Sequence, residues 1–299
     1  MRKLLPWLLL APSLLVIGVV QLYPALWSVW LSFQKVAGVR TAPVGLRNYA
    51  LVFGSRAFAE SLWHTAFFLF GYVVLTLLLG LGIALLLNRK LKLGTAYASL
   101  LFVPWVLSDV IVGLVFKLFV DPDTGLFAPF FAQPLFGLQG SALLTHVPTE
   151  TFIASVPFPP APALIYLIVA AVWKALPFTT LLALAALQTV PREVTESAAL
   201  DGAGGGRMFA YITLPLILPQ VLAATFSLII GGMNGVGMVF ALTGGGPGTS
   251  TEVLSLLLYS IGFSALDLGR AAALSVFIAA VNLLLLAAAL RASRARGER

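Results

Sequence analysis

Cysteine is absent from the chain. That excludes a disulfide framework, a thiolate nucleophile and a Cys-ligated metal. Two histidines, His64 and His146, lie far apart in sequence and argue against a His-based metal centre. Charge is scarce: 10% of the 299 residues are Asp, Glu, Lys or Arg, against roughly 25% in a soluble domain. No G-x-x-x-x-G-K-[ST] phosphate loop occurs, so the chain is not expected to hydrolyse ATP itself. With 60% hydrophobic residues and a mean hydropathy of +1.01, a soluble fold could not hide its apolar surface behind a charged exterior. Soluble enzymes, disordered proteins and nucleic-acid-binding domains are thereby excluded; the partner of most of this surface is membrane lipid.

What is present is a set of six long apolar stretches, at about 7–33, 62–87, 96–120, 163–187, 209–242 and 268–290. Each is long enough for the roughly 20 residues of a membrane span. In lipid the backbone must satisfy its own hydrogen bonds, so each is predicted to be a helix. The alternation of a membrane barrel is missing. The fold class expected is therefore an all-α membrane protein with about six transmembrane helices in a single domain, 1–299. The first stretch follows Arg2 and Lys3 and runs past Pro24 through Trp27, Trp30 and Phe33. That exceeds the apolar core of about 7–15 residues in a cleaved signal, and a retained helix is expected.

Lys and Arg gather in cytoplasmic loops. Placing both termini inside puts eleven basic residues there: Arg2, Lys3, Arg89, Lys90, Lys92, Arg192, Arg207, Arg291, Arg294, Arg296 and Arg299. Five fall outside: Lys35, Arg40, Arg47, Arg56 and Arg270. The net charge of +7 is thus read as a record of topology, with both termini cytoplasmic, rather than of a nucleic-acid partner.

The most informative polar stretch is 188–208 and its continuation. Glu196-Ser197-Ala198, then Gly202, then Ile212-Thr213-Leu214-Pro215 fit the spacing E-A-A, three residues, G, nine residues, I-x-L-P, with Ser197 the one departure. Pro191 can open a helix, and Glu193 and Glu196 suit a helix N-terminus. Gly202 and the run Gly204-Gly205-Gly206 can end it. Pro215 and Pro219 stand near the start of the next span and set its angle. This loop resembles the signature loop of binding-protein-dependent ABC importer permeases. Further likenesses run in order along the chain: Leu22-Tyr23-Pro24, Val44-Gly45-Leu46-Arg47-Asn48-Tyr49, Leu242 to Pro247 with Thr251-Glu252, and Gly269 to Ala273. They resemble the carbohydrate branch, with its maltose, trehalose and glycerol-3-phosphate permeases.

The resemblance implies a type I ABC importer permease fold in a bacterial or archaeal cytoplasmic membrane. It implies a second homologous permease, two ATPase subunits that bind ATP and Mg²⁺, and an extracytoplasmic solute-binding protein. Coupling to the ATPases would fall on Glu196, Ser197, Ala198, Ala199, Asp201, Gly202, Leu214 and Pro215. The family's mid-membrane solute positions match Lys174, Ala175 and Phe178 on the fourth span and Leu228, Gly232, Asn234 and Gly235 on the fifth. Trp173 and Phe178 suit a sugar ring, and Asn234 suits hydroxyls. Gly231, Gly232, Gly235 and Gly237 serve either close helix packing or an unwound cavity wall.

Asp109 and Lys174 each lie about 12 residues from the outer end of a span. At about 1.5 Å per residue that is about 18 Å deep, near mid-membrane. They either face the translocation cavity, pairing with each other or sharing the solute's hydroxyls, or meet the partner permease. The lack of a basic cluster on this path argues against an anionic solute and favours a sugar. The competing functional class is an ion-coupled secondary transporter, which would often carry repeats and intramembrane acids; only Asp109 answers that description. A membrane-embedded enzyme would need a cluster of reactive side chains at one face, and none is visible.

Overall fold

The computed structural model describes residues 5–38, 40–89, 94–121, 125–126 and 162–297. Most of the expected outer segment 121–162 lies outside the described residues, as do Arg2, Lys3, Lys90, Lys92 and Arg299. The described residues are overwhelmingly helical. Among the described residues five helices are long and apolar enough to cross a membrane, or six if a pair bent sharply at a short break is counted as one span. The described residues fall into two compact units, 1–59 with 257–282 and 60–256 with 283–299.

In the first unit, α1 (Leu5–Ile17) passes through a π-helical turn, Gly18–Leu22, into α2 (Tyr23–Leu31). The turn has a chemical cause. Pro24 has no N–H to give the Val20 carbonyl, and the wider turn is closed by the Tyr23 N–H to the Gly18 carbonyl. Beyond it, β1 (Gln34–Ala37) and β2 (Arg40–Pro43) pair antiparallel. Short α3 (Arg47–Phe53) follows. Asn48, buried at 5% exposure, clamps the junction. Its amide donates to the Ser32 carbonyl at 2.9 Å and to the Gln34 carbonyl at 2.8 Å. The Tyr49 and Ser32 hydroxyls share a hydrogen bond of 2.7 Å. The Gly45-to-Tyr49 motif is thus a structural knot that ties the end of the first span to the hairpin.

The second unit holds most of the buried apolar residues. α4 (Arg56–Leu87) and α7 (Pro162–Gln188) pack against each other where glycines remove side chains. A Cβ at Gly71 would stand 3.0 Å from Ile168 Cδ1, and one at Gly80 3.0 Å from Thr179 Cγ2. α7 is the central span, with half of its apolar window buried. Near its end Ala183, Ala186 and Leu187 close with Ala84 and Ile217 into one cluster.

Two of the predicted spans are not continuous. The third, expected as one helix from 96 to 120, is α5 (Gly94–Val106) followed by α6 (Asp109–Phe119), bent by 99°. Ser108 is the reason. Its backbone is extended and its Oγ accepts the Ile111 N–H at 3.3 Å, the geometry of a fresh N-cap. The depth arithmetic for Asp109 assumed a straight helix, and this break removes that assumption. The fifth, expected from 209 to 242, is broken once. After α8 (Arg192–Leu200), α9 (Gly205–Met208) and a π turn at Phe209–Thr213, α10 runs Leu214–Asn234. Gly235 is extended, and α11 (Gly237–Leu242) restarts the helix. The Gly235 carbonyl, taken out of the helix ladder, accepts from Ser255 Oγ at 2.9 Å. α12 (Leu254–Tyr259), a further π turn and α13 (Leu268–Gly297) complete the chain.

Candidate functional site

The 188–208 loop carries a nine-residue helix, α8, none of whose residues is buried. Pro191 stands at its N-cap rather than inside its first turn, with extended backbone, and Glu193 lies in the first turn. Its end is a Schellman motif. The Ala203 N–H reaches the Ala198 carbonyl at 2.9 Å and the Gly202 N–H reaches Ala199 at 3.1 Å, with Gly202 left-handed at φ +81°. Position 202 therefore requires glycine for backbone reasons. The Leu214-Pro215 step explains the second half of the motif. Pro215 cannot donate to Tyr211, and the turn widens so that the Leu214 N–H reaches the Phe209 carbonyl. Leu200 is 89% exposed and Tyr211 79%.

At the two helix breaks lies a cavity of about 360 Å³. α4, α5, α6, α7, α10 and α11 all line it, through Phe68 and Tyr72, Trp105, Asp109, Leu167, Ala171, Lys174, Ala175 and Phe178, Ser227, Leu228, Gly231, Gly232 and Gly235, and Met238 and Val239. Asp109, first residue of α6, forms an ion pair with Lys174 of α7. Of the two, the carboxylate is the more open: side-chain exposure is 46% for Asp109 and 20% for Lys174. Trp105 stacks on Phe178 at 5.8 Å and 10°, and Phe68 on Tyr72 at 5.5 Å and 7°. One wall is bare backbone, because a Cβ at Gly231 would meet nothing within 4 Å.

Of the residues singled out from sequence, Asp109, Lys174, Ala175, Phe178, Leu228, Gly232 and Gly235 line this cavity. Two do not. Trp173 points off the α7 face and packs on Phe116 at 5.5 Å. Asn234 turns its amide onto its own helix, donating to the Ile230 carbonyl at 2.7 Å. Gly232 has both of the roles left open for it, since a Cβ there would stand 2.8 Å from Leu69 Cδ2 and 3.2 Å from the Tyr72 ring. The sequence reading missed Tyr72, Trp105 and Ser227. For Trp105 a signal existed: an aromatic next to Pro104 and three residues before the Ser108-Asp109 cap.

The glycine-rich stretch 244–252 folds back on itself and onto α4. Thr251 Oγ1 donates to the Gly246 carbonyl at 2.8 Å, Thr249 Oγ1 donates to Glu60 Oε2 at 3.0 Å, and Thr65 Oγ1 accepts the Leu254 N–H at 2.8 Å. Burial, and then the Glu60 carboxylate, push the Glu252 carboxyl above its ordinary value. In the first unit, Asp267 caps α13 by accepting the Arg270 N–H at 3.0 Å. Burial alone would raise its carboxyl; the hydrogen bonds and charge of Arg270, with Lys35, outweigh burial and hold it below the ordinary value.

Relatives cover nearly the whole chain. It is 32% identical to the sulfoquinovosyl glycerol transport system permease protein SmoG of Agrobacterium fabrum, over 98% of this chain and 92% of that one. It is also 32% identical to the trehalose/maltose transport system permease protein MalF of Thermococcus litoralis, over 91% and 88%. Its fold matches a bacterial ABC transporter involved in the import of the acidic polysaccharide alginate, with a TM-score of 0.79 at 21% identity over 98% and 96% of the two chains. Residues 73–296, from the middle of α4 to the last residues of α13, match a described family, and the chain belongs to it: the binding-protein-dependent transport system inner membrane components.

Proposed function

We propose that this chain forms half of the translocation path of an ATP-driven sugar importer, with disaccharides or short oligosaccharides as solute. The observation that carries the reading is the cavity: stacked aromatic rings, an ion pair and bare glycine backbone meet where two spans are broken. Irregular backbone at membrane depth is tolerated only where protein buries it or water reaches it. Flat rings suit the apolar face of a pyranose, and a few convergent polar groups suit its hydroxyls. The trehalose/maltose permease among the relatives supports the same solute class.

The second permease supplies the other half. Two ATPase subunits hold ATP and Mg²⁺ and seat on the exposed helix α8, where Glu196, Ser197, Ala198, Ala199, Asp201 and Gly202 form the contact. Leu214 and Pro215 transmit its movement into α10. Both termini lie in the cytoplasm, and an extracytoplasmic binding protein delivers the solute. Nucleotide binding biases two states of the assembly, and the cavity opens to alternate sides.

The experiment is ATP-dependent uptake of radiolabelled trehalose into proteoliposomes holding the assembled complex. Gly202→Trp places a bulky residue at φ +81°, where a side chain costs about 1–2 kcal/mol, and touches no span. The variant is expected to insert in normal amounts, to lose uptake and to lose solute-stimulated ATP hydrolysis. Normal uptake by Gly202→Trp overturns the docking assignment. Uptake driven by an ion gradient without ATPase subunits overturns the importer reading in favour of a secondary transporter.

A further inference from the structure

We propose that Asp109 sets the charge preference of the cavity, making it accept uncharged, hydroxyl-rich solutes and reject anionic ones. The inference rests on reading the cavity as the solute site. Asp109 and Lys174 are the two charged residues among those that line it. Without Asp109 the cavity would present two attractions for an anion. One is the Lys174 ammonium. The other is the N-terminus of α6, an eleven-residue helix whose first N–H groups point toward the break and would favour negative charge there.

Asp109 answers both. Its carboxylate pairs with Lys174, and it stands in the first turn of α6, where Ser108 already caps the Ile111 N–H. Neither positive source is left uncompensated. The acid is the more exposed member of the pair, at 46% against 20% for the lysine. An entering phosphate, sulfonate or uronate would meet a carboxylate in surroundings of low dielectric. A neutral sugar would meet free carboxylate lone pairs and the Ser227 hydroxyl as hydrogen-bond partners, with the Trp105–Phe178 stack for its apolar face. A cationic solute would gain the carboxylate but meet the lysine behind it.

The experiment is saturation-transfer NMR on the solubilised, nucleotide-free assembly of both permeases and ATPases, without binding protein. The probes are trehalose, glycerol 3-phosphate and glucosamine. The wild type is expected to bind trehalose and neither charged probe. Asp109→Asn uncovers Lys174 and the helix terminus together, and should raise binding of glycerol 3-phosphate relative to trehalose by about tenfold or more. Lys174→Gln leaves the acid alone and should instead gain glucosamine. The opposite signs of the two variants separate a charge effect from general loosening of the fold.

Glycerol 3-phosphate or glucosamine binding as well as trehalose in the wild type overturns the proposal, as does an unchanged ratio in Asp109→Asn. Gly231→Trp, which fills the bare wall, tests the underlying reading separately. If it abolishes all binding while Asp109→Asn changes nothing, the cavity remains the solute site and only the charge proposal falls. If trehalose still binds to Gly231→Trp, or binds to none of the proteins, the cavity is not that site and both fall.

Discussion

Glu252 illustrates what one side chain stores. It lies half-buried in the loop between α11 and α12, beside Glu60, and both influences disfavour its charge. Its folded carboxyl therefore titrates above the unfolded value of 4.5. Between those two points the folded chain holds a proton that the unfolded chain has released, so stability falls as pH rises through that window. At neutral pH the buried carboxylate is a standing cost. Glu252→Gln keeps the shape and removes the charge. Its thermal midpoint in detergent is expected to exceed that of wild type at about pH 8, with the gap closing toward about pH 4. A gap that stays constant across this range would mean that the charge of Glu252 is not what the loop works against.

Between residues, the unit of design is the broken span. The short helices α6 and α11 each begin just after a break, at Asp109 and Gly237, and pack closely. A Cβ at Gly113 would stand 2.8 Å from Ala241 Cβ and 2.9 Å from the Met238 carbonyl oxygen. A Cβ at Gly237 would stand 3.3 Å from Asp109 Cβ. Gly113→Val must force the two helices apart, and overpacking of this type costs about 1–3 kcal/mol. Gly231→Val, a glycine with open space around it, is the control and should leave the midpoint nearly unchanged. Equal midpoints for the two variants would refute the close contact.

The same elements indicate what was legible in sequence. Helix, span number and the signature loop follow from hydrophobic length, proline and glycine, which act locally. The break at Gly235 is written in its glycines. The break at Ser108 is written as a Ser-Asp cap, but inside an apolar run that cap reads as a charge buried in a continuous helix. Cavity lining was legible where helical spacing decides it. Leu167, Ala171, Lys174, Ala175 and Phe178 share one face of α7, and Trp173 falls well off that face. Tyr72 reaches the cavity from α4, whose packing on α7 is set by Gly71 and Gly80 rather than by any polar stripe, so no local pattern announces it.

For the molecule as a whole the open quantity is its direction in the membrane. The basic-residue asymmetry predicts α8 on the cytoplasmic side. Whatever the direction, α8 and the 244–252 loop are expected on opposite sides, because one candidate span, Gly205–Asn234, separates them. The cysteine-free background makes the test direct, since each single cysteine reports alone. Leu200, 89% exposed on α8, and Thr249, exposed in the loop, are suitable sites. In right-side-out vesicles an impermeant maleimide should label Thr249→Cys at once and Leu200→Cys only after the membrane is opened. The reverse order would invert the topology and place the docking helix where no ATPase could reach it, which would remove the coupling proposal along with it. Labelling of both sites from one face would mean that α10 does not cross, and that the break at Gly235 belongs to a re-entrant segment.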